Sequence, residues 1–153
     1  MTRITLAAAL LASTLTPILA ADPLTVEQVL IVANGLALLD GYEDVCTDGA
    51  VQKTCKRPYK FSGGARWTIA NALGIGRAAQ TTWQGVQAAI LAPYTGADGK
   101  IPDASVAKAN REIAEALAKP AGITMPTIKH DELKLDDNPI PPSVLSLLMP
   151  ILE

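Results

Sequence analysis

From Ser62 to Leu91 the chain runs for 30 residues with only two charged side chains, Arg66 and Arg77. Within it Ile69, Leu73, Gly76, Ala79, Trp83, Val86 and Ile90 recur at steps of three and four, which puts them on one side of a single α-helix. The other side is Ala, Asn, Thr and Gln, and Gly74, Gly76 and Gly85 lie inside the stretch. Each glycine costs an exposed helix about 1 kcal/mol relative to alanine, so packing has to compensate. A neighbouring helix or a partner chain approaching closely would do so. Trp67 and Trp83 are 16 residues apart, about four and a half turns at ~3.6 residues each, so they point to roughly opposite sides of the rod. Trp67, Trp83, Gly74 and Gly76 are therefore the candidate partner-facing residues.

The remaining segments arrange themselves around this rod. Leu24 to Leu39 reads as a first helix, capped by Thr25 with Gln28 three residues on, and with Val26, Val29, Leu30, Ala33 and Leu36 as its apolar face. Asp40 and Gly41 end it. Tyr42 to Tyr59 is polar, with a turn signal at Thr47-Asp48-Gly49, and is expected to be a loop or an irregular hairpin. After the breakers at Pro93 and Gly96 to Gly99, Asp103 is placed to cap a third helix running to about Lys119, with Val106, Ile113 and Leu117 on its buried side. Arg111, Glu115 and Lys119 are spaced for pairs four apart. Helices 62–91 and 103–119 should fold back on each other as an antiparallel hairpin. Ile123 to Leu135 suggests one or two short extended segments, with Pro126 confining the first to an edge. Ser143 is placed to cap a short last helix through Val144, Leu147, Leu148 and Met149. The fold expected is mainly α: a helical hairpin with an N-terminal helix, a short extended segment and a short C-terminal helix, in one domain over residues 24–153.

The first 20 residues have the three-part layout of a secretory signal: Met1 and Arg3, an apolar run from Ile4 to Leu15, then Pro17 and the small residues Ala20 and Ala21. The apolar run is short of the roughly 20 residues a membrane span needs, so no stable span is expected once the signal is cleaved. The alternative is a buried N-terminal helix. Export would place the protein in the periplasm or outside the cell and would favour a disulfide between Cys46 and Cys55, which flank a polar loop of eight residues. Such a bond would contribute about 2–3 kcal/mol in the chain-entropy picture. In a reducing cytosol both would be thiols.

Catalytic signals are weak. Gly74-Ile75-Gly76-Arg77-Ala78-Ala79 has the letters of a dinucleotide fingerprint, but that motif works at a strand-to-helix turn and here it falls inside a helical period. His130 is the only histidine, with no Cys or His at zinc-ligand spacing and no Gly-x-Ser-x-Gly elbow for it to serve as base. The adjacent acids Glu43–Asp44 and Asp136–Asp137 read as solvated turn residues rather than an acid/base pair. No catalytic, cofactor or metal residues are assigned. A net charge of −2 with interspersed signs and only 4% aromatic residues argue against a phosphate-neutralising or base-stacking surface, so no nucleic-acid partner is expected. Charged residues make up 18% of the chain and apolar residues 49%, against roughly 25% charged in average soluble proteins, so the chain is neither disordered nor highly solvated; a protein partner or self-association is expected from the weakly charged, glycine-bearing 62–91 helix.

From Leu24 onward the succession "LTVEQVLIVANGLALLDG", "YKFSGGARWTIANAL", "DGKIPDASVAKANREIAEAL" and "IKHDELKLDDNPIPPSVLSLLMPIL" resembles a family of small proteins encoded by tailed bacteriophages and prophages. The resemblance covers residues 24–153 and rests on patterning rather than on a catalytic motif. It implies a helical hairpin followed by an extended segment and a closing helix, in a non-enzymatic structural or interaction protein of the host cytoplasm or the virion. The leader and the Cys46 to Cys55 insertion depart from that pattern and point to export; a translation start near Leu24 would reconcile the two. The competing expectation is an exported periplasmic binding or inhibitor domain stabilised by one disulfide.

Overall fold

Thr25 starts the first helix in the way the sequence requires: its hydroxyl accepts from the Gln28 amide at 3.2 Å and the Gln28 side chain accepts from the Thr25 amide at 2.9 Å. This reciprocal box satisfies two amides that the helix end would otherwise leave unpaired. The computed structural model describes residues 23–153, and the leader lies outside the described residues. Helix α1 spans Val26–Ala37 and a short 3₁₀ turn carries the chain to Asp40. Strands β1 (Tyr42–Asp48) and β2 (Val51–Arg57) pair antiparallel. Helix α2 is one rod of 29 residues, Gly63–Leu91, capped by Ser62. Helices α3 (Asp103–Leu117) and α4 (Pro142–Leu148) follow, with 3₁₀ turns after α2, at His130–Leu133 and after α4.

The core sits around α1. Val29, Val32 and Leu36 are almost wholly buried, together with Ile128, Leu133, Leu148 and Ile151 from the C-terminal third. Two glycines set how closely the helices approach. A Cβ on Gly76 of α2 would lie 2.6 Å from the Ala33 Cβ, and one on Gly35 of α1 would lie 2.9 Å from the Leu147 Cβ of α4. Helix α1 is thus clasped by α2 on one side and α4 on the other, and close approach is bought with glycine at both contacts. Of the two ways foreseen for covering Gly76, the neighbouring helix is the one observed, so Gly76 is not a partner-facing residue.

Helix α3 returns along α2. Tyr94, just past the end of α2, donates to Glu112 at 2.5 Å, while Ala116, later on α3, lies beside the earlier Thr82, Trp83 and Val86 of α2. That order makes the pair antiparallel, although α2 packs more extensively on α1 than on α3. The last third is held by backbone bonds: Ile128 and Leu152 form an isolated parallel bridge, with the Ile128 amide donating to Ile151 and the Glu153 amide donating to Ile128. The extended segment foreseen after Ile123 is thereby reduced to this one paired position, because Pro126 removes a donor beside it.

Three local expectations need correction. Of the loop and the irregular hairpin expected after Tyr42, the hairpin forms, but Tyr42 to Arg57 is regular, with seven residues per strand and Gly49 (φ 63°) at the first of its two turn positions, where a type II′ turn takes glycine. Asp103 and Ser143 do not cap their helices. The cap positions are Pro102 and Pro141, at ψ 143° and 141°, since proline's fixed φ and extended ψ already supply the geometry of a helix entry. Val106 remains 38% exposed, and Ala109 is the buried residue of α3.

Candidate functional site

The described residues offer three features that could carry function: the outer face of α2, the cross-linked hairpin and an apolar cleft between the helices.

On the outer face, Trp67, Asn71, Gly74, Ala78, Thr81 and Gly85 are all exposed. Their spacing of four, three, four, three and four draws one nearly straight line along the helix. No residue on it is charged. Trp67, at its head, is 76% exposed. Nothing lies within 4 Å of where a Cβ on Gly74 or Gly85 would sit, so within this chain those two glycines weaken the helix without gaining a contact. Trp83 looks the other way and is half-buried in the cleft, as the spacing of the two indoles predicts. Of the four candidate partner-facing residues, the fold therefore brings Trp67 and Gly74 together on the open face and turns Gly76 and Trp83 inward.

The glycine fingerprint is absorbed by the same helix. Gly74 to Ala79 lies in the middle of α2, where amides are directed along the axis toward carbonyls four residues back and cannot converge on a pyrophosphate.

The hairpin carries the Cys46–Cys55 disulfide, with Cα atoms 5.9 Å apart, inside the range such a bond needs. Cys46 faces Lys53 and Cys55 faces Asp44 in the register, so the bond crosses the ladder diagonally. Around it Lys53 pairs with Asp48 at 2.6 Å and Arg57 with Asp44 at 2.7 Å. Lys56 reaches back to Asp40 of the preceding turn, and that hydrogen bond and its charge hold the Asp40 carboxyl below its usual pKa. Asp44 is thus committed to Arg57 rather than to its neighbour Glu43. At the root of the hairpin Tyr42, Tyr59 and Phe61 form a row, with ring centroids 5.2 and 5.5 Å apart; burial, with Tyr42 beside it, raises the Tyr59 phenol.

The cleft, about 280 Å³ in volume, opens between the start of α1, the second half of α2 and the end of α3. Val29, Ala79, Trp83, Val86 and Ile123 are among its walls, and Lys119 is the one charged residue of the lining. Sequence reasoning placed Lys119 in α3, paired with Glu115. The helix ends at Leu117, which takes Lys119 off the helical face, and of the expected pairs only Arg111–Glu115 forms, at 4.0 Å. One turn before Ala116 on α3, Glu112 accepts from Tyr94, raising the phenol's pKa mainly through that bond. Lys108 sits 5.6 Å from the same ring.

His130 is exposed and opens the 3₁₀ turn beside the last residues, its amide donating to the Glu153 carbonyl at 2.8 Å. Asp136 and Asp137 are both exposed. Among the described residues no group of three or more His, Cys, Asp or Glu is placed to hold a metal ion, and no helix is long and apolar enough to cross a membrane. Asn138 is the buried polar residue that sequence reasoning missed. It is 2% exposed, accepts from the Lys60 amide at 2.7 Å and donates to the Leu133 carbonyl at 2.7 Å, tying the approach to α2 to the C-terminal third. Its position among Asp and Pro residues looks like an ordinary turn, and only burial distinguishes it. No protein-family model, curated protein or solved structure matches this chain.

Proposed function

We propose that this chain is a non-enzymatic interaction protein that binds another protein, or a second copy of itself, through the outer face of α2. One observation carries the reading: Trp67, 76% exposed, heads an uncharged line on which Gly74 and Gly85 meet nothing of their own chain. Tryptophan is the side chain most often found as a binding anchor. An exposed glycine that costs helix stability is compensated when another backbone comes close. The resemblance in sequence patterning to small tailed-phage and prophage proteins is what supports reading it as of phage or prophage origin, working in the host cytoplasm or the particle. Size-exclusion chromatography with light scattering, together with capture from phage-infected cells, tests the proposal. Association that Trp67→Glu abolishes, with helicity and melting unchanged, is the expected result; a monomer that captures nothing overturns it.

A second reading is favoured by the Cys46–Cys55 bond, since structural disulfides persist in oxidising compartments. In it the chain is an exported binding or inhibitor domain of the periplasm. The N-terminal mass separates the two: an intact Met1 contradicts export.

A further inference from the structure

The cleft is a separate feature from the outer face of α2, on the opposite side of the same helix, and we propose that it binds a small aliphatic carboxylate. Its volume sets the size. About 280 Å³, at the ~30 Å³ that a water-sized group occupies in a liquid, accommodates roughly ten non-hydrogen atoms, which is smaller than a drug-like ligand and too little for a folded partner's helix. Its walls set the body: Val26, Ala79, Trp83, Val86 and Ile123 present apolar surface from α1, α2 and the segment after α3. The charge sets the head group. Lys119 is the single charged residue of the lining, and among the described residues it belongs to none of the ion pairs. Its backbone is fixed because its carbonyl accepts from the Val26 amide at 2.9 Å, so the base of the side chain is held at the cleft while the long, exposed stem is left to adjust. An apolar slot with one cation at its edge is complementary to a hydrocarbon chain ending in a carboxylate.

The test uses the full chain carrying Trp67→Phe, which leaves Trp83 as the only indole of the two in the sequence. Straight-chain alkanoates from four to twelve carbons, with 1-octanol as the neutral control, are titrated at pH 7 by calorimetry and by Trp83 emission. Saturable binding is expected, tightening about fourfold per methylene up to a chain of about eight carbons and then levelling off. Octanoate should bind about fivefold tighter than 1-octanol, a difference that Lys119→Gln removes. Thr82→Phe, a substitution at an exposed position of the lining, should block both ligands while leaving the helical signal intact. The proposal is overturned if affinity keeps climbing to twelve carbons, as surface adsorption would give, or if 1-octanol equals octanoate on the unsubstituted cleft. An unmoved Trp83 emission overturns it equally. Should Thr82→Phe fail to fold, the chain-length series and the exposed, fold-neutral Lys119→Gln decide the matter alone.

Discussion

Between Tyr42 and Arg57 not one residue is buried, whereas α1, only 12 residues long, buries five. The two regions adjoin and are held by different physics. The helical part gathers Leu36, Ile128, Leu133 and Leu148 into a shared interior, where each side chain removed from water contributes about 1.5–3 kcal/mol. The hairpin has a ladder, three exposed ion pairs that water and salt screen to little net effect, an aromatic row at its root and one covalent bond. An isolated two-stranded hairpin is marginal in water, so the cross-link does for this arm what burial does for the body. The lesson is that an exposed arm can be cross-linked into a regular ladder without claiming any of the core.

That contrast can be broken in a graded way. The largest effect is expected from Leu36→Ala, which should destabilise the whole domain by about 2–5 kcal/mol in denaturant unfolding. Val51→Ala in the hairpin, at a site 65% exposed, should fall within about 0.5 kcal/mol of wild type; equal effects would erase the distinction. Asn138→Ala comes next, at about 2–3 kcal/mol, because the Lys60 amide and the Leu133 carbonyl lose their partner together. Replacing both Cys46 and Cys55 with serine should cost the hairpin about 2–3 kcal/mol locally. Amide exchange between Tyr42 and Arg57 should accelerate while the unfolding midpoint of the helices barely moves. A matching collapse of the helices would show that the arm is part of the core after all.

The most diagnostic pair compares two glycines two residues apart, where the expected effects differ in sign. Gly76→Ala should destabilise by about 1–3 kcal/mol, as its new Cβ would press on Ala33. Gly74→Ala should stabilise by about 0.5–1 kcal/mol, since nothing opposes it within this chain. Calorimetric melting of the two variants reads the opposite signs. If Gly74→Ala also weakened association with a partner, the cost of that glycine would be explained by the outer face.

The helices were legible because their evidence is local. Thr25 with Gln28, Ser62 and the three-four rhythm of Ile69, Leu73 and Gly76 mark boundaries and faces without reference to anything distant. The entries at Pro102 and Pro141 were misread because Asp103 and Ser143 have the chemistry of caps, while the prolines beside them already have the conformation. The hairpin was half-legible: Asp48-Gly49 announces a turn, but strands with no buried side chain lack the alternation that betrays a strand. Asn138 and the cleft depend on which segments meet across the chain, and that information is not carried by any one stretch of sequence; the release of Lys119 from α3 was readable locally, since Pro120 directly follows it. Of the open face, the rod and its two oppositely directed indoles could be read in advance. Gly76, unlike Gly74, shares the apolar side of Ile69 and Leu73, but that a helix of the same chain rather than a partner covers it is decided by where Ala33 arrives.

The disulfide has one more consequence, for how the arm would respond to a protease. Lys53 is exposed and lies inside the ring closed by Cys46 and Cys55. A peptide bond cut there leaves the two ends tethered to the same sulfur bridge, so a clipped molecule would keep its full mass apart from one added water and would come apart into two pieces only when a reductant is supplied.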